Sequence, residues 1–171
     1  MNEVFTTKRL CRAGVIAALY VVLTYAFMSF AFGPFQVRPA EALCILPLFF
    51  PEAVPALFVG CMLSNIVSAY SVYDIVFGSL ATLLAALGTY CIGRISKRDG
   101  VRIVLGGLFP VLVNAFAIPL IIVFLFGDTG TYATVWTAYF ANVGIFLLTQ
   151  TVWVYGLGAP LYFAIKRLWK K

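Results

Sequence analysis

Phe32-Gly33-Pro34-Phe35-Gln36-Val37-Arg38-Pro39-Ala40-Glu41-Ala42-Leu43-Cys44-Ile45-Leu46-Pro47-Leu48 is the stretch on which the reading of this chain turns. An arginine, Arg38, and a glutamate, Glu41, stand three residues apart between two long apolar runs. Gly33, Pro34 and Pro39 prevent one continuous helix through the region. Charged side chains this close to hydrocarbon are costly, and as a rule they face a cavity or each other. Two readings are open at this point. One is a binding site; the other is an interfacial loop whose two charges pair and touch water.

Outward from this stretch the composition narrows the class. Of 171 residues, 63% are hydrophobic and 11% are charged. A soluble domain of this size needs a more charged surface, so the composition points to an all-α membrane protein of several helices. The net charge of +6 could suggest nucleic acid, but the basic residues cluster beside apolar segments, as the positive-inside rule expects. The chain has no histidine, which removes His-based metal sites and His general bases. Cys11, Cys44, Cys61 and Cys91 show no paired spacing and read as small buried hydrophobes.

The apolar runs predict a six-helix transmembrane bundle forming a single domain over residues 1–171, with both termini cytoplasmic. Expected spans are 13–31, 41–50, 53–69, 75–92, 103–126 and 133–165, the second short and the last interrupted near Gly156, Gly158 and Pro160. The run at 13–31 is too long for a signal-peptide core and reads as a retained helix. Residues 70–74 and 127–131 are expected as external turns, and Pro51-Glu52 as a cytoplasmic one. In this topology eleven of the twelve Lys and Arg residues fall inside, the exception being Arg38. Glu52 reads as structural, complementing the start of the helix that follows it. Gly78, Ala81, Ala85 and Gly88 form a small-residue stripe suited to close helix contact, and Pro110 and Pro119 predict kinks.

Polar residues inside the apolar segments are few. Gln36, Arg38, Glu41, Asn65, Asp74, Asn114 and Asn142 map to the outer half or middle of the bundle, and Gln150 lies deeper. Facing inward, they build one pocket, apolar with a few placed polar groups. Taken singly, each amide is as well explained by an interhelical hydrogen bond. Phe32, Phe35, Tyr70, Tyr73, Trp136 and Tyr139 share the outer level, as an interfacial aromatic belt or as stacking faces for a flat ligand. Ala13 and Ala17 lie one turn apart on one face of the first helix, as do Gly14 and Ala18. No HExxH, GxSxG, CxxC or Walker phosphate loop is present, so neither catalysis nor ATP hydrolysis is expected of this chain.

Residues 32–43, the run Leu46-Pro47-Leu48-Phe49-Phe50-Pro51, and the segment Asp74-Ile75-Val76-Phe77-Gly78-Ser79-Leu80-Ala81-Thr82-Leu83 resemble the QueT family. The resemblance extends over nearly the whole chain. It implies a substrate-binding S component of an energy-coupling factor transporter that takes up a queuosine precursor, a 7-deazaguanine base. It further implies three partners, a transmembrane coupling protein and two cytoplasmic ATPases, with no cofactor in this chain. Ala13 and Ala17 match the AxxxA-type face by which S components dock. Binding is expected on the external side, with delivery by toppling of the subunit in the membrane of a bacterial cell. On chemical grounds a carboxylate, Glu41 or Asp74, suits the paired donors of such a base, while Arg38, Gln36 or an Asn amide could donate to its ring oxygen. Two alternatives stay open: an S component for another vitamin, and a structural membrane protein without a ligand.

Overall fold

A computed structural model describes residues 6–31, 37–68 and 71–169. The regular elements among these residues are all helical. In order they are α1 (Thr7–Ala26), a single turn α2 (Met28–Ala31), a 3₁₀ segment (Pro39–Leu48), α3 (Ala53–Ser64), a 3₁₀ turn (Asn65–Val67), a single turn α4 (Ser71–Tyr73), a π-helical turn (Asp74–Gly78), α5 (Ser79–Ile95), α6 (Asp99–Leu120), a second π-helical turn (Ile121–Leu125), α7 (Val135–Gly156) and α8 (Gly158–Trp169). Four continuous helical runs are long and apolar enough to cross a membrane: Thr7–Ala26, Asp74–Ile95, Asp99–Leu125 and Val135–Leu168. Two apolar helices, Pro39–Leu48 and Ala53–Val67, are shorter. Four of the six expected spans are thus long enough to cross, the second and third are not, and the last divides at Leu157 into α7 and α8.

The short Pro39–Leu48 segment is the axis of the molecule. All ten of its residues are buried, and α1, α3, α5, α6, α7 and α8 all touch it. We refer to it as the strut. Because it is apolar on every side except at Glu41, its sequence carries no periodicity that would select an α-helix. Pro39 opens it, and Pro47, lacking an N–H, cannot donate within it. A 3₁₀ helix is narrower than an α-helix and rises about 2.0 Å per residue, so ten residues reach about 20 Å. That geometry suits a slim element enclosed by six others.

Glycines set the contacts with the strut and around it. A Cβ at Gly93 would lie 2.9 Å from Leu48 Cα and 3.0 Å from its carbonyl oxygen; one at Gly106 would meet the Leu48 side chain at 2.9 Å. At Gly158 it would lie 3.3 Å from the Ala42 carbonyl. Between α1 and α3, a Cβ at Gly60 would stand 3.0 Å from Tyr20 Cβ and 3.1 Å from the Ala17 carbonyl. The expected stripe on α5 also packs closely: Ala81 and Ala85 are buried, and Gly88 faces the Phe109 ring.

Both prolines of α6 sit inside the helix, and the second is followed directly by a π-helical turn. Pro110 cannot donate to the Gly106 carbonyl, and Thr89 Oγ1 of α5 fills that place at 2.7 Å. At the far end of the chain, Thr134 and Thr137 form a capping box that starts α7. The basic end of the bundle is closed by polar contacts. Arg102 donates to the Leu48 carbonyl, Tyr162 and Lys166 of α8 bind the Asp99 carboxylate, and Arg12 pairs with Glu52 at 2.6 Å. Glu52 is therefore structural through an ion pair with α1; its side chain makes no capping bond.

One expectation is corrected here. Asp74 was expected at the end of an external turn, but it opens the π-helical turn and is 1% exposed. The helix begins one turn earlier than the apolar run, because Ser71–Tyr73 already winds.

Gly93→Ala and Gly144→Ala test the packing of the strut as a pair. Each gains about 1 kcal/mol of helix propensity. At Gly144 nothing lies within 4 Å of the new Cβ, so the melting temperature in detergent should rise slightly. At Gly93 the Cβ meets backbone, and overpacking of about 1–3 kcal/mol should outweigh that gain and lower it. Equal stabilisation by both substitutions would refute the close approach of α5 to Leu48.

Candidate functional site

Glu41 lies at the start of the strut, 2% exposed, and the surrounding helices bring it donors. Tyr20 Oη of α1 donates to Oε1 at 2.8 Å, Asn114 Nδ2 of α6 donates to Oε2 at 3.0 Å, and the Cys44 thiol, one 3₁₀ turn on, approaches Oε2 at 3.3 Å. A buried carboxylate without partners would cost several kcal/mol, on the order seen for unpaired buried ions. Here three donors occupy a group with about four acceptor positions.

Asp74, 1% exposed, has its own partners. Ser68 Oγ donates to its Oδ2, and Asn65 Nδ2 donates to its backbone carbonyl at 2.9 Å. The same amide lies 3.4 Å from Cys61 Sγ, which also accepts from Thr82 Oγ1 of α5 at 3.2 Å. Gly78 gives room here: an added Cβ would lie 3.1 Å from Asn65 Nδ2. Arg38, 5% exposed, interacts electrostatically with Tyr20, Asp74, Cys61 and Glu41. Its charge is felt by both acids. Two buried amide oxygens in this cluster, Asn65 Oδ1 and Asn114 Oδ1, have no hydrogen-bond partner among the described residues; Gln150 Oε1 is a third such atom in α7.

Of the residues singled out in the sequence, Arg38, Glu41, Asn65, Asp74 and Asn114 are thus buried together. Trp136 and Tyr139 make ring contacts with Phe124 at 5.5 and 5.6 Å and with Phe140 at 6.3 and 5.4 Å, and Trp136 is 63% exposed. That arrangement has the form of an interfacial aromatic group. Asn142 donates to the Ala138 carbonyl of its own helix at 2.9 Å. Gln36 lies outside the described residues, as do Phe32, Phe35 and Tyr70.

Tyr20 was missed because a tyrosine in an apolar helix reads as a hydrophobe; its position three residues beyond Ala17, on the same face, was the available signal. Cys44 and Cys61 are buried as expected, but their sulfur atoms also take part in the polar cluster, whereas Cys11 and Cys91 are exposed.

Ala13 and Ala17 line a groove of about 450 Å³ between α1 and α3. Gly14, Pro55, Ala56 and Val59 complete its apolar walls, with Arg9 and Glu52 among its polar residues. Gly14 is exposed and nothing lies within 4 Å of a Cβ built there, so the groove floor is smooth.

The family described as QueT transporter matches residues 10–167. The Queuosine precursor transporter QueT of Lactococcus lactis subsp. cremoris (strain MG1363) is 34% identical over 86 residues, which cover 48% of this chain and 50% of that protein. The match therefore spans about half the length of that relative. No solved structure matches. With several apolar helices long enough to cross a bilayer and a family match over most of its length, the chain is a multi-pass membrane protein that belongs to the QueT transporter family, a family of transporters and not of enzymes.

Proposed function

We propose that this chain is the S component of an energy-coupling factor importer, and that it binds a queuosine precursor, a 7-deazaguanine base such as queuine or its aminomethyl or cyano precursors. The observation that carries the reading is the buried cluster of Arg38, Glu41 and Asp74 in the middle of an otherwise apolar bundle. The name of the Lactococcus lactis relative supports the same substrate class. The four long and two short helices supply six segments for an S-component bundle with both termini cytoplasmic, and the concentration of Lys and Arg at one end supports that orientation.

The chemistry of the cluster suits the substrate. A deazaguanine presents two adjacent N–H donors beside a ring carbonyl, and carboxylates accept such donors strongly. With both acids ionised, two carboxylates against one guanidinium leave one formal negative charge. An aminomethyl-bearing base, a cation, would balance it. Gln36, Trp136, Tyr139 and Asn142 remain candidate contacts on the outer side of the same site. The groove at Ala13 and Ala17 is the proposed docking face for the transmembrane coupling protein, with two cytoplasmic ATPases as the energy source.

Isosteric substitutions separate binding from folding. Glu41→Gln and Asp74→Asn should leave a monodisperse, folded protein in detergent. Each should weaken deazaguanine binding, measured by equilibrium titration, by roughly 10- to 100-fold, as expected for loss of a charged hydrogen bond. Unchanged affinity in both would sink the carboxylate role and favour a structural cluster.

The groove makes a separate claim. Gly14→Trp places an indole at the groove, and its Cβ meets nothing within 4 Å. It should abolish co-purification with the coupling protein while ligand affinity stays as in the wild type; normal assembly of this variant would remove α1 as the docking face.

A further inference from the structure

The Glu41 cluster determines which way the Asn114 amide faces. A carboxylate offers acceptors only, so Asn114 can meet Glu41 Oε2 only with its NH₂ group. Oδ1 must then point away from Glu41. It is buried, in a side chain 3% exposed, and no group among the described residues donates to it. Asn65 repeats the arrangement beside the second acid. Its NH₂ is spent on the Asp74 carbonyl and Cys61 sulfur, and its Oδ1 is left without a partner. Buried polar atoms are nearly always hydrogen-bonded, so an orphaned pair at one cluster points to a missing donor.

Four donors of the cluster are committed to the two acids. Tyr20, Asn114 and Cys44 all serve Glu41, and Ser68 serves Asp74. What remains unfilled among the described residues is acceptor capacity: Asn114 Oδ1 and Asn65 Oδ1. Asn114 Nδ2 and Glu41 Oε2 are the two ends of that 3.0 Å hydrogen bond, so the free oxygen belongs to the same amide that the carboxylate holds.

We propose that Asn114 is a specificity-determining acceptor: its Oδ1 receives a ligand N–H, while the Tyr20–Glu41–Asn114 chain holds the amide in that orientation. The ligand edge it selects presents an N–H at that point, as an amidine, a guanidine or a 2-amino-pyrimidinone does. An edge that presents an acceptor at that point leaves two lone pairs facing each other and is rejected. This assigns Asn114 the opposite of the donor role expected from the sequence. The proposal rests on the transport reading above for the identity of the base, but the acceptor role itself does not depend on it.

Isotope-edited infrared spectroscopy on the full-length chain in detergent tests the orphan oxygen directly. The protein is labelled with ¹³C at the asparagine amide carbonyl, and the Asn114 band is isolated by subtracting the near-isosteric Asn114→Asp variant. Without ligand the band should sit at the frequency of an unbonded amide carbonyl. A hydrogen-bonded frequency in the ligand-free chain overturns the proposal. Adding 7-aminomethyl-7-deazaguanine should move the band down; binding that leaves it in place also overturns the proposal.

A second measurement reads selectivity with 7-deazaguanine and 7-deazaadenine, bases of equal size with opposite edges. Asn114→Leu should weaken the guanine-type base roughly tenfold or more and leave the adenine-type base within about twofold. Tyr20→Phe, which removes one hydroxyl and keeps the ring, should lower the same ratio. Equal weakening of both bases by both variants means a packing role and overturns the proposal. If the wild type binds neither base, the deazaguanine reading fails, and the ligand-free band still decides the acceptor role.

Discussion

A charge placed in the middle of an apolar bundle constrains everything around it. Glu41 cannot reach water from the strut, so the fold must bring donors to it from elements far apart in sequence. Tyr20 arrives from α1, Asn114 from α6 and Cys44 from the strut itself. Each of these bonds requires its helix to sit at a particular height and rotation. The carboxylate therefore specifies the registry of α1 and α6 against the strut, in the way a single buried polar residue can fix the alignment of packed helices. The glycine contacts at Gly60, Gly93 and Gly106 permit the short separations that this registry needs.

The strut also joins the two ends of the molecule. Its first turn carries Glu41, and its last residue, Leu48, is held through its carbonyl by Arg102 and wedged between Gly93 and Gly106. Phe49 then stacks near Tyr162 at 4.7 Å, Arg12 lies 4.4 Å over the Phe50 ring, and Glu52 pairs with Arg12 beside the α1–α3 groove. A short, fully packed element thus runs from the polar cluster to the surface that carries Ala13 and Ala17. On the α1 side, Tyr20 makes a parallel link, because it lies one turn beyond Ala17 and reaches Glu41 directly.

Much of this was legible in the sequence for a simple physical reason: charges and amides stand out against hydrocarbon. Arg38, Glu41, Asn65, Asp74 and Asn114 could be picked from a chain with 11% charged residues, and the structure buries them together. The helical class and most element boundaries followed from long apolar runs broken by Gly and Pro. The strut's 3₁₀ conformation was not legible, since a segment buried on all sides has no hydrophobic period to read. Asp74 was recognised but misplaced, because the helix starts before the apolar run does. Tyr20 and the cysteines were overlooked because their polar atoms are attached to side chains that otherwise behave as hydrophobes. Trp136 and Tyr139 carry a weaker signal: aromatic residues near the outer level serve an interfacial belt as readily as a ligand, and these two pack with Phe124 and Phe140.

The central claim is that the buried cluster selects one class of small molecule. Calorimetric titration of the detergent-purified wild-type chain against 7-deazaguanine bases, guanine, riboflavin and thiamine tests it most directly, with tryptophan fluorescence followed in parallel. The account predicts saturable binding of the deazaguanines, with riboflavin and thiamine silent. Binding of riboflavin or thiamine in their place, or no binding at all by a demonstrably folded sample, would contradict it.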